Sequence, residues 1–311
     1  METRTIGSLK VSTVGLGCNN FGGRIGRQET DAVVGAALDA GVTLFDTADI
    51  YGGTKSETYL GTALGTRRDE IVLATKFGGP YEGHEGGASA AYVRIAVEDS
   101  LTRLGTDRID LYQLHMPDPK TPITETIGVL GELVAEGKIR EFGCSNFSAA
   151  MLEEAAAATP PSGPGFVSVQ NQYNILHRDP EKRVLAECER MGLGFLPYFP
   201  LASGLLSGKY RPGEPPPEGT RLAGMGDRAA SQLSDERLAK VAALDELARD
   251  HGHSVLDLAF GWLLSRPVVS SVIAGATRPE QVTTNVAAGA WSPPEEVLRA
   301  VDEIAPRVPP A

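Results

Sequence analysis

The chain lacks most of what organises specialised small folds. It has only three cysteines in 311 residues, and Cys18, Cys144 and Cys188 show neither CxxC nor zinc-finger spacing. An odd number of scattered thiols excludes a disulfide framework or a structural metal as the organising device, so they are expected to be buried small apolar residues. No apolar run reaches the ~18 residues of a membrane span. The opening METRTIGSLKVST also lacks the basic start and apolar stretch of a secretory signal. The expected place is therefore the cytoplasm, with no membrane partner. Lysine and arginine nowhere cluster, and the net charge is −11. Phosphate backbones are held by many cations, so nucleic acid is not an expected partner. GxGxxG is missing, which argues against a Rossmann domain. The segment from Gly204 to Lys209 fails as a P-loop, because three residues separate Gly204 from Gly208 and Tyr210 stands where Ser or Thr must bind magnesium.

What is present is an ordinary globular composition, 41% hydrophobic and 22% charged. Eight short apolar runs recur: TVGLG at 13–17, TLFDT at 43–47, IVLAT at 71–75, DLYQLH at 110–115, EFGCS at 141–145, FVSVQ at 166–170, GFLPY at 194–198 and SVIAG at 271–275. Each is bounded by Gly, Pro or polar residues, as strands buried on both faces are. Helical patterns lie between them. Val93, Val97, Leu101 and Leu104 share one face, and Gly105 then supplies a left-handed stop. Helix starts are expected at Thr121-Pro122, Ser148, Asp179-Pro180, Ser234 and Ser254 to Asp257.

Eight strands alternating with helices predict an α/β fold, a closed (β/α)8 TIM barrel, which leaves no unpaired edge. ETRTI, Gly7-Ser8 and LKVST predict an N-terminal β-hairpin able to plug one end. The widest gap, 198–271, holds a Gly/Pro-rich stretch and two helical patterns at 234–250 and 254–265. It is expected to form a long loop over the C-terminal mouth.

Active sites of such barrels lie where strands end, so the polar residues closing the apolar runs carry the information. Asp46 and Tyr51 follow the second run, Lys76 closes the third and His115 the fourth. A free tyrosine titrates near pH ~10, and an adjacent ammonium can lower that by roughly 1–3 units. Lys76 is expected to do so, with Asp46 keeping it charged and His115 holding a carbonyl oxygen. Taken singly, each residue would more often belong to a structural ion pair or a turn. Together they suit proton donation to an alkoxide formed by hydride transfer. GATRPEQVTTN after the eighth run opens a helix, placing backbone amides where barrels often bind phosphate.

Six segments then resemble the aldo-keto reductase family: FDTADIYGG at 45–53, TKFG at 75–78, LYQLH at 111–115, GCSNF at 143–147, QNQYN at 170–174 and IAGATRPEQVTTN at 273–285. The resemblance spans nearly the whole chain and implies one barrel domain over 1–311, NADPH or NADH as cofactor, and the tetrad Asp46, Tyr51, Lys76 and His115. It also implies that Ser145, Asn146 and Gln170 hold the nicotinamide carboxamide and that Tyr198 stacks on the ring. Gly275, Thr277, Arg278, Gln281 and Asn285 would surround the adenosine and its 2′-phosphate, favouring NADPH over NADH. Leu201, Gly204, Leu206, Ser207 and Lys209 would lie along the pyrophosphate. Ala274 and Phe199 depart from a frequent proline and serine of the family pattern. The expected reaction is reduction of an aldehyde or ketone. The rivals are an alcohol or sugar dehydrogenase, a cofactor-sensing barrel subunit like those of some ion channels, and a scaffold without cofactor. His84 is expected to line the substrate mouth, and His177, His251 and His253 to be surface or loop residues. Substrate identity rests on loops at 78–91, 116–122 and 202–233, and oligomeric state stays open.

Overall fold

The computed structural model describes residues 1–211, 213–224 and 232–307. Position 212 and positions 225–231 of the expected mouth loop lie outside the described residues. Every expected run forms a strand. After the hairpin of β1 (Thr3–Ile6) and β2 (Leu9–Ser12) come β3 (Val14–Gly17), β4 (Leu44–Asp46), β5 (Val72–Phe77), β6 (Ile109–Leu114), β7 (Ile139–Ser145), β8 (Phe166–Gln172), β9 (Gly194–Tyr198) and β10 (Val272–Gly275). The last eight pair in parallel in the order β10-β3-β4-β5-β6-β7-β8-β9. The ring is closed from β9 just ahead of β10, where Phe195 N–H donates to Val268 O at 2.8 Å and Ser270 N–H donates to Phe195 O at 3.0 Å. Every residue of β5 and β6 is buried, as a strand covered on both faces requires.

The helices run α1 (Arg27–Asp39), α2 (Lys55–Leu64), α3 (Ala90–Leu104), α4 (Ile123–Ala135), α5 (Ala149–Ala158), α6 (Val184–Met191), α7 (Asp235–Asp250), α8 (Val255–Leu264), α9 (Pro279–Ala288) and α10 (Glu295–Ile304). Their starts follow the expected chemistry in most places. Ser148 and Ser234 accept hydrogen bonds from Met151 N–H and Arg237 N–H, and Ser254 with Asp257 forms a reciprocal capping box. Val93, Val97, Leu101 and Leu104 of α3 are buried, and Gly105 ends that helix at φ 63°. Two starts differ. Pro122 is itself the cap of α4 without a side-chain bond, because Thr121 Oγ1 donates to Asp118 Oδ2 at 2.8 Å instead. Asp179-Pro180 opens only a short 3-10 turn, Asp179–Lys182, since Arg183 at φ −154° breaks the path before α6.

Two cores result. The larger fills the space between strands and helices. The smaller sits inside the barrel, where Ile6, Leu9 and Val11 of the hairpin meet Leu44, Val72, Ala74, Leu111, Leu196 and Ile273. The hairpin thus plugs the N-terminal end, pinned by Ser12 N–H to Thr43 Oγ1 at 2.8 Å and Thr43 N–H to Ser12 Oγ at 2.9 Å. Chemistry is left to the other end. The three cysteines are free and buried.

Packing between α2 and α3 depends on one missing side chain. A Cβ at Gly61 would come within 2.1 Å of Leu104 O, a backbone atom that cannot yield cheaply. Gly61→Ala is therefore expected to lose roughly 1–3 kcal/mol in chemical denaturation. Gly35→Ala, within α1 with nothing inside 4 Å, is expected to gain up to about 1 kcal/mol.

Candidate active site

β4 ends on Asp46, and β5 carries Lys76 into the barrel beside it. Lys76 is 0% exposed and Asp46 3%. The lysine Nζ donates to Asp46 Oδ2 at 2.7 Å and to Thr47 O at 2.8 Å, and it lies 3.4 Å from Tyr51 Oη. The other carboxylate oxygen receives Gln113 Nε2 at 3.1 Å and Gln170 Nε2 at 2.9 Å. A buried ion pair persists only when its remaining polar sites are also satisfied, and these amides do that. Burial works against the charge on Lys76, but Asp46 and then Tyr51 outweigh it and leave the ammonium above its ordinary pKa.

Tyr51 comes from the turn after β4, its ring edge-on to His115 at 5.8 Å and 81°. The expected lowering of its pKa is reversed. Burial of the phenol raises it most; Lys76 pulls it down, and Asp46 pushes it up again, for a net rise above 10. The ammonium acts in the expected direction but is shared with the carboxylate. His115 follows β6, tied by its N–H to Phe77 O at 2.8 Å. Burial, reinforced by Lys76, lowers its pKa to about 3, so the imidazole is neutral near pH 7.

Next to this cluster the ends of β7, β8 and β9 form one polar wall. Ser145 Oγ donates to Gln170 O at 2.7 Å, and Asn146, at φ 62°, donates from Nδ2 to His115 O at 3.0 Å. Tyr198 Oη donates to Asn146 Oδ1 at 2.8 Å, which fixes its ring. Gln170 has turned its amide nitrogen to Asp46. Phe199 sits edge-on to Tyr198 at 5.2 Å in a left-handed conformation of φ 52°.

These groups line one end of a cavity of about 930 Å³ that runs to the start of α9. Leu201, Gly204, Ser207, Lys209, Gly275, Thr277, Arg278, Gln281 and Asn285 all border it. Gln281 Oε1 caps the turn by accepting from Thr277 N–H at 2.7 Å. Lys76 lies beneath the floor. Leu206 departs from expectation: it is 0% exposed and belongs to the large apolar core, because the left-handed stretch Ala202, Ser203 and Gly204 turns it inward. His84 also does not line the cavity, packing on Tyr81 with Asp99 Oδ2 at 4.0 Å. His177 and His253 lie outside it too, each facing a carboxylate at 3.8 Å.

Sequence reasoning missed Gln113, Arg24 and Arg221. Gln113 was visible only as an inward position of LYQLH. Arg24 and Arg221 border the cavity with Lys209, and among the described residues none of the three pairs with a carboxylate. Arg221 lies over the Phe199 ring at 4.8 Å. Burial first, then the charge of Arg24, lowers the pKa of both Lys209 and Arg221. Three neighbouring cations with no ion-pair partner among the described residues make a place for an anion.

Fold and cluster together define an NAD(P)H-dependent oxidoreductase built on a barrel. The chain belongs to the aldo/keto reductase family, whose model matches residues 13–306. It is similar to the aldo-keto reductase YhdN of Bacillus subtilis (strain 168), with 38% identity over 88% of this chain and 84% of that protein. A probable voltage-gated potassium channel subunit beta of Oryza sativa subsp. japonica is 34% identical over 93% of this chain and 91% of its own length. The probable aldo-keto reductase 1 of Glycine max is 33% identical over 96% and 86%. Among the described residues no helix is long and apolar enough to cross a membrane.

His115 gives the site a signature in stability. Between pH ~6.5 and about 3 the unfolded chain takes up a proton at this imidazole that the folded chain refuses, so the residue makes the fold less stable as pH falls through that window. Above it, the contribution is flat. Denaturation of His115→Asn is expected to show a shallower acid-side loss than the parent; equal slopes would refute the buried neutral imidazole.

Proposed function

We propose that this protein uses NADPH to reduce an aldehyde or ketone, with Tyr51 as the proton donor. The observation that carries the reading is Lys76 Nζ, held by Asp46 at 2.7 Å and placed 3.4 Å from Tyr51 Oη at the floor of a cavity also lined by three cations that form no ion pair among the described residues.

The residues present fit the cofactor. Lys209, Arg24 and Arg221, which form no ion pair among the described residues, offer positive charge to a pyrophosphate, and the start of α9 offers backbone amides beside exposed Arg278 to a 2′-phosphate. Ser145, Asn146 and Gln170 meet a carboxamide; with Gln170 Nε2 on Asp46, its Oε1 is the atom left to accept an amide proton. Tyr198, fixed by Asn146, offers a ring face for stacking. When bound, the nicotinamide supplies the hydride.

The chain's own groups do the rest. Tyr51 gives the proton on Oη to the carbonyl oxygen as negative charge develops there. Lys76 stabilises the resulting phenolate, and Asp46 with Gln113 and Gln170 holds that ammonium in place. His115 is neutral near pH 7, so its part is to orient the oxygen by a hydrogen bond, not to supply the proton. The reverse sequence oxidises an alcohol. The relatives named as potassium channel subunits support a second reading, a cofactor-binding subunit, which turnover separates from the first. The three free, buried cysteines agree with a cytoplasmic location.

Fluorescence titration with NADPH and NADH, followed by single-turnover oxidation of the bound cofactor with an activated aromatic aldehyde, tests the reading. Tyr51→Phe is expected to bind NADPH like the parent and to lose roughly a hundredfold or more in turnover. Arg278→Ala is expected to weaken NADPH by roughly tenfold or more and NADH little. Undiminished turnover in Tyr51→Phe would refute the proton-donor role, and equal losses for both cofactors would refute the 2′-phosphate contact.

A further inference from the structure

One buried ionisable group beside the tetrad has no part in this scheme. Asp49 stands in the turn between Asp46 and Tyr51 and is 0% exposed, yet among the described residues neither of its carboxylate oxygens has a hydrogen-bond partner of good geometry, the adjacent Ile50 N–H offering only a weak local contact. Its own N–H donates to Lys76 O at 3.1 Å, Tyr51 N–H donates to Ala48 O at 3.2 Å, and Ser56 N–H donates to Tyr51 O at 3.1 Å. Asp49 and the phenol therefore ride on one hydrogen-bonded turn.

The titratable groups facing Asp49 are Glu57 from α2, Arg103 and Tyr92 from α3, Lys76 from β5 and Tyr112 from β6. Both cations are already engaged. Arg103 Nε donates to Glu57 Oε2 at 2.7 Å, and Lys76 is held by Asp46 and Thr47 O. Glu57 is itself fully buried and accepts from Thr75 Oγ1 at 2.6 Å. An ionised Asp49 would thus place a second carboxylate near Glu57 in a slot whose two cations are both engaged. An unpartnered buried charge costs far more than a neutral carboxyl, so the group holds its proton well above the usual range. Burial first, then Glu57, moves its pKa up to about 7.

We propose that Asp49 is a positioning residue for Tyr51 that works in its neutral form: the protonated carboxyl lets the 47–53 turn stay seated against β5, and loss of that proton unseats the turn and draws the phenol away from Lys76. The inference rests on the reading of Tyr51 as proton donor. The released proton goes to solvent, which the turn meets at the adjacent Ile50, 37% exposed. Moving Lys76 or Arg103 toward Asp49 would break the pairs they already make.

The tetrad's own titrations leave this event visible. Tyr51 and Lys76 lie above their ordinary values and His115 at about 3, so none of these three changes state between pH 6 and 8. Asp49 also makes stability fall as pH rises from about 4 to about 7, because the folded chain keeps a proton there that the unfolded chain releases.

The test measures single-turnover rates with NADPH and an aromatic aldehyde at pH 6 and pH 8 for the parent and Asp49→Asn. Amide hydrogen exchange of residues 47–53 is followed over the same range and expressed as protection factors. The parent is expected to slow by about tenfold between the two pH values, and Asp49→Asn by no more than about twofold. Protection of the turn should fall at pH 8 in the parent and stay level in the variant. An identical pH fall in both proteins, or protection that does not change with pH in the parent, overturns the proposal. Exchange needs neither turnover nor a folded variant: pH-dependent opening without turnover upholds the role of Asp49 in seating the turn and refutes the reductase reading instead.

Discussion

The buried pair between Lys76 and Asp46 is the interaction on which the rest of the site depends. Placing an ammonium and a carboxylate inside a barrel costs several kcal/mol per ion unless each is fully partnered. Partnering here draws on four strands or their ends: Asp46 and Thr47 from β4, Lys76 from β5, Gln113 from β6 and Gln170 from β8. The closed sheet thereby converges its C-terminal ends on one carboxylate. The hairpin complements this by sealing the opposite end with apolar side chains, so polar groups are concentrated at the mouth.

Electrostatics then give the floor of the cavity and its mouth different chemistry. At the floor, burial holds Tyr51 protonated, keeps His115 neutral and leaves Lys76 charged because Asp46 is beside it. Along the mouth, Arg24, Lys209 and Arg221 gather without an ion pair among the described residues, in a protein whose net charge is −11. A chain this acidic binds an anion only where positive charge is gathered locally, and the mouth segment gathers it. That pattern, a proton-holding floor beside an anion-seeking mouth, is what the proposed reaction needs from the protein.

The barrel was readable in the sequence because buried parallel strands leave uninterrupted apolar runs between Gly, Pro and capping residues, and all eight runs became strands. Asp46, Tyr51, Lys76 and His115 were readable for the same reason: each closes a run or follows one within a few residues. What lay beyond reach depended on three-dimensional detail. Arg24 and Arg221 come from loops whose paths no periodicity encodes, and Leu206 turns inward only because three preceding residues take left-handed angles. Asp179-Pro180 carried a good helix-start signature, yet the backbone at Arg183 limits it to a 3-10 turn. The direction of the Tyr51 shift failed because sequence adjacency reveals the neighbouring ammonium and says nothing of how deeply the phenol is buried.

If Lys76 acts on the reaction through Tyr51, the two residues form one unit and their losses should not multiply. The decisive measurement is the rate of the chemical step in single turnover for the parent, Tyr51→Phe, Lys76→Met and the double variant, each shown to bind NADPH. The double variant is expected to be no slower than the slower single one. A double variant slowed by the product of the two separate losses would show that Lys76 and Tyr51 act independently, contradicting the central role given to their 3.4 Å contact.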